Sequence, residues 1–320
     1  MGKYSVPRHG SMMYRRNRAD SELPRIRVWP EGEGILGFAG YKAGLTHALV
    51  VENRKGSALV GRQVRIPVTV LEVPPMVVVG YRAYQKTGYG FRVLGEVWAE
   101  KLPKYLDRRV PVPTKPNPAE QQKKIDSMLE KVFMIRLITS TQPERAQLPK
   151  KRPDMMEQAL GGDVAAQLSK AKDLLGKELP LESVFKPGDL VDVFAISKGH
   201  GFQGVIKRFG VKLQKRKTET KRKIGTLGPE TPDKVLPTVP MAGQMGYHQR
   251  FSLNHQVLKS GQPFNPSGGW THYGIAKENC VILWGSVPGP IQRLVRLRKA
   301  VRKKSKPVPE ISFISIESKN

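Results

Sequence analysis

The chain has 320 residues, with 55 Lys and Arg against 27 Asp and Glu and a net charge of +28, an excess far beyond what solubility requires. A polyanionic partner is implied, and the hydrophobic share of 39% supports a core while leaving part of the chain to fold only against that partner. One cysteine, Cys280 in the apolar run CVILW, excludes a disulfide framework and a thiolate zinc cluster, and no apolar run nears the roughly 20 residues that span a bilayer, so a soluble, reducing, intracellular setting is expected.

Residues 1–30 carry Lys3, Arg8, His9, Arg15, Arg16, Arg18, Arg25 and Arg27 around Pro7, Gly10 and Pro24, and read as an extended basic arm. Residues 31–100 alternate short β-branched runs with turn residues (ILGFAG, THALVVEN, VRIPVTVLEV, MVVVGYRAY, FRVLGEVWAE), which predicts the first part of a barrel or sandwich. Residues 101–185 read as a helical insertion. Asn117 as N-cap, Pro118 at the first helical position and Glu120 reaching back open one helix, with Ile125, Met128, Leu129 and Val132 on one face, before VFMIRLITS resumes as a strand. Asp163 opens a second, with Val164, Leu168, Ala171 and Leu175 facing inward and Gly176 ending it.

In 186–214 the turn Pro187-Gly188-Asp189 precedes the strand LVDVFAIS, which leads into a basic glycine loop. The stretch 215–262 is too long for an ordinary loop, and its Pro and Gly content argues against a long helix or regular sheet. It reads as an extension, in which Tyr247, flanked by Gln244, His248 and Arg250, offers stacking and hydrogen bonding beside charge, a mixture that suits RNA. In 263–320 the β pattern returns as THYGIA, CVILWGSV, IQRLVRLRKAV and VPEISFISIES, and the alternation in LVRLR predicts a strand with Arg296 and Arg298 at a basic surface.

The focus of the charge is 197–223, SKGHGFQGVIKRFGVKLQKRKTETKRK. Here Lys198, Lys207, Arg208, Lys212, Lys215, Arg216, Lys217, Lys221, Arg222 and Lys223 face a single acid, Glu219, and would repel one another without dense negative charge alongside. The run from Gly199 to Gly204 matches G-x-G-x-x-G in letters only. A dinucleotide loop must open an apolar helix, whereas β-branched and cationic residues follow here, interrupted by Gly210, and no kinase elements accompany it. Glycines at 199, 201 and 204 are expected instead to let the backbone approach a ligand closely, with Lys198 and His200 projecting from the turn. The six histidines form no metal-ligand pattern, Cys280 has no cation or histidine beside it to lower its pKa, and no nucleophile elbow appears. No enzyme, metal, cofactor, membrane or small-molecule substrate is expected.

The strings PRHGSM at 7–12, GFAGYKAGLTH at 37–47, SKGHGFQGVIKRFG at 197–210, MAGQMGYHQR at 241–250 and GSVPGP at 285–290, in this order, closely resemble the universal large-subunit ribosomal protein number three family. KKRPDMM at 150–156 is similar to its archaeal and eukaryotic branch. The resemblance implies a mainly β protein, built on a six-stranded barrel of the translation-protein type with an α-helical insertion and long basic extensions. It implies a cytoplasmic protein in the ribosome that binds large-subunit rRNA beside neighbouring large-subunit proteins, supports early assembly and reaches toward the peptidyl-transferase centre without enzymatic activity. Carried over by motif, Arg8, His9, Lys42, His47, Lys198, His200, Lys207, Arg208, Gln244, Tyr247, His248 and Arg250 are expected RNA contacts. Two positions depart from the family pattern: Glu230 stands where tryptophan is usual after Leu227-Gly228-Pro229, and His200 where lysine is common. A free nucleic-acid-compacting protein or assembly factor is the alternative, which charge alone would satisfy but which has no need of so long a strand-rich core.

Overall fold

The computed structural model describes residues 17–53, 56–112, 117–146, 148–231, 233–302 and 309–317, so Arg8 and His9 lie outside the described residues. Strands β1 (Gly34–Ile35), β2 (Gly37–Val51), β3 (Gln63–Glu72), β4 (Met76–Thr87) and β5 (Gly90–Trp98) come first. Helix α1 (Pro118–Ser127), strands β6 (Met134–Ser140) and β7 (Met155–Gly161), helix α2 (Val164–Leu174) and strand β8 (Glu178–Leu179) follow. Then come β9 (Leu190–Ile196), β10 (Gly199–Gln203), α3 (Val205–Phe209), β11 (Gly243–Gly246), β12 (Gln249–Gln262), β13 (Cys280–Trp284), β14 (Leu294–Lys299) and β15 (Glu310–Ile314). The chain divides into two compact units: a smaller one of the described residues up to Ser21 with Ile196–Arg250, and a larger one of Glu22–Ala195 with the described residues from Phe251 onward.

The larger unit is mainly β. Strand β14 pairs antiparallel with β9 on one side and β2 on the other, and the remaining pairings run from β9 through β12, β13 and β3 to β2, so a path of six strands returns to its start. That ring has the strand number of the expected barrel. Alternation along the strands builds it: Val193 and Ala195 lie opposite Leu297 and Val295, which in turn oppose Phe38 and Gly40. Phe38, Val193, Ala195, Val295 and Leu297 share one buried cluster with Leu71, Val257, Val281 and Leu283. The intervening residues of β3 and β13, among them Ile66, Val68, Val70, Cys280 and Ile282, belong to a second cluster with Trp270 and Ala276. Burial on both faces explains why β13 reads as an unbroken apolar run, and the same burial pushes the Cys280 thiol up to about 12.

A second sheet has the order β1-β7-β6-β4-β5, with β8 against β4. Here β4, expected with the first barrel strands, pairs instead with β6 and β8 of the 101–185 segment, and β5, expected there too, pairs with β4 at the edge of this sheet. Period-two alternation marks a strand but not its sheet. Helix α2 begins and ends as expected, with Gly176 beyond its end at φ 75°. It buries Leu168 and Ala171, and its Gln167 accepts the Ile135 amide at 2.8 Å and donates to the Gly162 carbonyl at 2.7 Å, clamping the helix to β6. Across the sheet, Glu157 receives Arg82, Arg136 and the Tyr84 hydroxyl. Burial alone would raise its carboxyl, but the Tyr84 and Arg136 hydrogen bonds, helped by the Arg82 charge, outweigh that and hold it below the usual carboxylate range.

Three further expectations change. Arg296 and Arg298 are buried, not a basic surface. Arg298 pairs with Asp192 and stacks 4.8 Å over Phe194, while Arg296 donates to the carbonyls of Pro24 and Glu157 and is pushed by burial down to about 10. Residues 249–262 are strand β12, not extension: its polar members are absorbed locally, with His255 bonded to the Trp284 carbonyl at 2.7 Å and to Ser252 Oγ at 2.6 Å. THYGIA is a turn, because His272 and Gly274 take φ of 59° and 92°, and buried Glu72 draws the Tyr273 hydroxyl and the amides of Lys277 and Glu278 onto its carboxylate.

Asp192 has no solvent exposure and accepts from Asn254 N, Arg298 and Val301 N, so Asp192→Ala strands a buried guanidinium and is expected to lower stability by about 3–5 kcal/mol in thermal or denaturant melts. Glu72 behaves differently. Burial raises its pKa above the unfolded value of about 4.3, so its contribution to stability falls as pH rises from there through the folded value. Glu72→Gln keeps the acceptor and removes the titration, and its melting temperature should gain on wild type from pH 4 to pH 7.

Candidate nucleic-acid interface

The smaller unit has almost no core. Strands β10 and β11 form a two-stranded ribbon, pairing Gly199 with Gly246 and Phe202 with Gln244. Such a ribbon is marginal in water by itself. Every residue from Lys198 to Phe202 is exposed, Phe202 at 78%. Phe202 was not among the expected contacts, since a lone aromatic between glycines carries no pattern; its isolation becomes visible only in the ribbon.

Three contacts from the arm and the return strand hold the ribbon's base. Ser197 N donates to the His248 carbonyl and Tyr247 N to the Lys198 carbonyl, while the Tyr247 carbonyl accepts Ala19 N at 2.8 Å. The Arg18 guanidinium lies 5.3 Å from the Tyr247 ring. His248 is buried, with Nδ1 at 2.9 Å from the Asn17 carbonyl. Thus His248, expected at the RNA, fastens the arm to the ribbon. Gly246, which sequence reasoning also passed over, sits at φ 72° where an added Cβ would come 1.9 Å from the Lys198 carbonyl oxygen.

A helix does open after Gly204, contrary to expectation, but it is only five residues long. Val205 is its buried residue, and Gly210 ends it in the left-handed region at φ 70°. One buried β-branched residue is enough to seat a single turn. Lys207 projects to solvent, whereas Arg208 turns back, donating to the Met241 carbonyl at 2.7 Å and lying 5.0 Å over Phe209. From 211 to 242 the described residues form no helix or strand. A turn closed by Gln214 N to the Lys221 carbonyl brings Lys215, Arg216, Lys217 and Lys221 together with only Glu219 among them.

The two units treat charge differently. In the larger, Arg82, Arg136, Arg145, Lys150, Lys172, Arg293 and Arg298 each meet a carboxylate. In the smaller, Lys198, Lys207, Lys212, Lys215, Arg216, Lys217, Lys221, Arg222 and Lys223 form no ion pair among the described residues, and all are exposed. Lys42 belongs to the first pattern: its ammonium donates to the carbonyls of Val287 at 2.6 Å and Gly289 at 3.1 Å, joining the GFAGYKAGLTH and GSVPGP segments internally. His47 sits beside Arg65, with Nδ1 at 3.3 Å from its guanidinium. Gln244 turns its amide onto the Gly246 carbonyl at 3.0 Å, and Arg250 reaches the Gln249 carbonyl at 3.2 Å. Glu230 is exposed.

The family model described as Ribosomal protein L3 matches residues 1–319. The chain belongs to the ribosomal protein L3 family. It is 46% identical to the large ribosomal subunit protein uL3 of Methanopyrus kandleri, over 97% of this chain and 90% of that one. It is 44% identical to the uL3 of Archaeoglobus fulgidus, over 94% and 93%, and 42% identical to that of Methanobrevibacter smithii, over 100% and 99%. Coverage from end to end means that the ring, the second sheet and the basic unit are all parts of the L3 pattern.

The glycines separate shape from charge. Gly204 has φ of −69° and nothing within 4 Å of an added Cβ, so Gly204→Val should leave the melting of the free protein unchanged yet reduce incorporation into large subunits, by keeping the loop from close approach to RNA. Gly246→Ala should lower the melting temperature, because the Lys198 carbonyl must move. Lys207→Ala should do neither strongly, costing on the order of 1 kcal/mol of RNA affinity. Normal incorporation of Gly204→Val would contradict the close-approach role.

Proposed function

We propose that the chain is a structural, non-enzymatic constituent of the large ribosomal subunit that binds its rRNA. Membership of the L3 family over 1–319 carries this reading. The electrostatics support it: nine exposed cations between 198 and 223, without an ion pair among the described residues, are stable in close array only beside a polyanion, and rRNA phosphates supply one. The ring and second sheet then serve as the folded anchor, and residues 211–242 as the part ordered by RNA and directed toward the peptidyl-transferase centre. Lys198, His200, Lys207, Lys212, Lys215, Arg216, Lys217, Lys221, Arg222 and Lys223 neutralise phosphate, with Gly199, Gly201 and Gly204 letting the ribbon lie close. Neighbouring large-subunit proteins complete the surroundings, assembly is supported early, and the setting is the cytoplasm.

Each phosphate neutralised should contribute about −0.7 to −0.9 to the slope of log K against log salt. Binding of the full chain to large-subunit rRNA is therefore expected to be steeply salt dependent. Replacing Lys215, Arg216 and Lys217 together by alanine should flatten the slope by about 2 to 3. Filter binding across a salt series measures this, and cosedimentation with subunits in a sucrose gradient tests membership of the particle. A slope unchanged in the triple variant would remove these cations from the interface.

A further inference from the structure

Six aromatic side chains are strongly exposed among the described residues, and three of them gather at one place in the larger unit: Tyr89, Phe91 and Phe133. Tyr89 occupies the two-residue turn of the β4–β5 hairpin, between paired Thr87 and Gly90, and is fully exposed. Phe91 and Phe133 stack with centroids 5.6 Å apart and planes at 23°, yet remain 54% and 48% exposed. A hairpin tip that only needed to turn would carry polar residues, and rings buried against each other in a core would not stay half in water.

The charges around these rings decide what they suit. Lys86 lies opposite Phe91 in the pairing register, with its ammonium 5.4 Å from the Phe133 ring. Arg92 and Lys131 are exposed nearby in sequence, against one exposed acid, Glu130. Lys86, Arg92 and Lys131 form no ion pair among the described residues. Protein-docking patches gather aromatics but are depleted in lysine, whereas aromatic faces set among unpaired cations match a strand whose bases stack while its phosphates are neutralised.

We infer that the tip of the β4–β5 hairpin, with Phe133 beside it, is a second RNA site that takes unpaired nucleobases by stacking. It lies within the larger unit and works through ring faces more than through charge density. Its specificity is for single-stranded segments, since paired bases cannot present their faces.

The test places p-benzoylphenylalanine at position 89 of the full chain and titrates crosslinking to a 12-nucleotide single-stranded oligoadenylate, which reads this site alone. Half-saturation is expected to rise about five- to a hundredfold in Phe91→Leu, which keeps apolar area but loses the ring face, and to stay within about twofold in Phe91→Tyr. A duplex RNA of equal length should compete poorly. Equal affinity in Phe91→Leu, full competition by duplex, or no RNA crosslink would overturn the site. In assembled subunits the same probe should mark RNA. Crosslinks to protein only, in a chain that still enters the particle, would make the tip a protein-docking surface and leave the ribosomal reading standing.

Discussion

Asp192 holds together the part of the fold on which the rest depends. One carboxylate, fully buried on β9, accepts the Asn254 amide of β12 and the Arg298 guanidinium of β14, and so ties three neighbouring strands of the ring. Arg298 continues the link to the Val28 carbonyl and spreads over Phe194. A buried ion pair adds little net stability compared with apolar packing, but it tolerates no slip: a one-residue shift of any of the three strands would leave a buried charge unpaired. β9 and β12 are also the strands by which the chain leaves the ring and returns to it.

The protein thereby separates two uses of positive charge. Arg82, Arg136, Arg296 and Arg298 of the larger unit face carboxylates or carbonyls at close range, and the Glu157 and Asp192 networks consume them as structural groups. Lysine dominates the exposed 198–223 segment, where a compact, hydrated charge on a flexible stem can follow phosphates without a fixed partner. Arginine's planar fork suits the fixed carbonyls and carboxylates of the interior. Net charge alone would have assigned both sets to the partner.

Much was legible in the residues. Continuous apolar runs such as CVILW identified strands buried on both faces, Asp163 and Gly176 bounded a helix, and the dense unopposed cations of 198–223 marked a segment that its own chain does not neutralise. What escaped did so for physical reasons. FSLNHQVLK looks unlike a strand because His255 and Asn254 are polar, and only the Trp284 carbonyl, Ser252 and Asp192 make that polarity acceptable in the ring. LVRLR looks like a surface strand because the acceptors of its arginines lie more than a hundred residues away in sequence. His248 looks like a ligand group until Asn17 meets it.

By itself, then, the sequence determined the class of partner, the mainly β character and the location of the unneutralised charge, since composition, period and local charge density are properties of short windows. The tertiary structure decided which strands share a sheet, which cations face inward, and which glycines meet another backbone. Each of those depends on atoms brought together from distant positions: Lys42 with Val287, Arg298 with Asp192, Gly246 with Lys198. No local pattern encodes such a meeting, because the free energy that selects it arises only when the partner arrives.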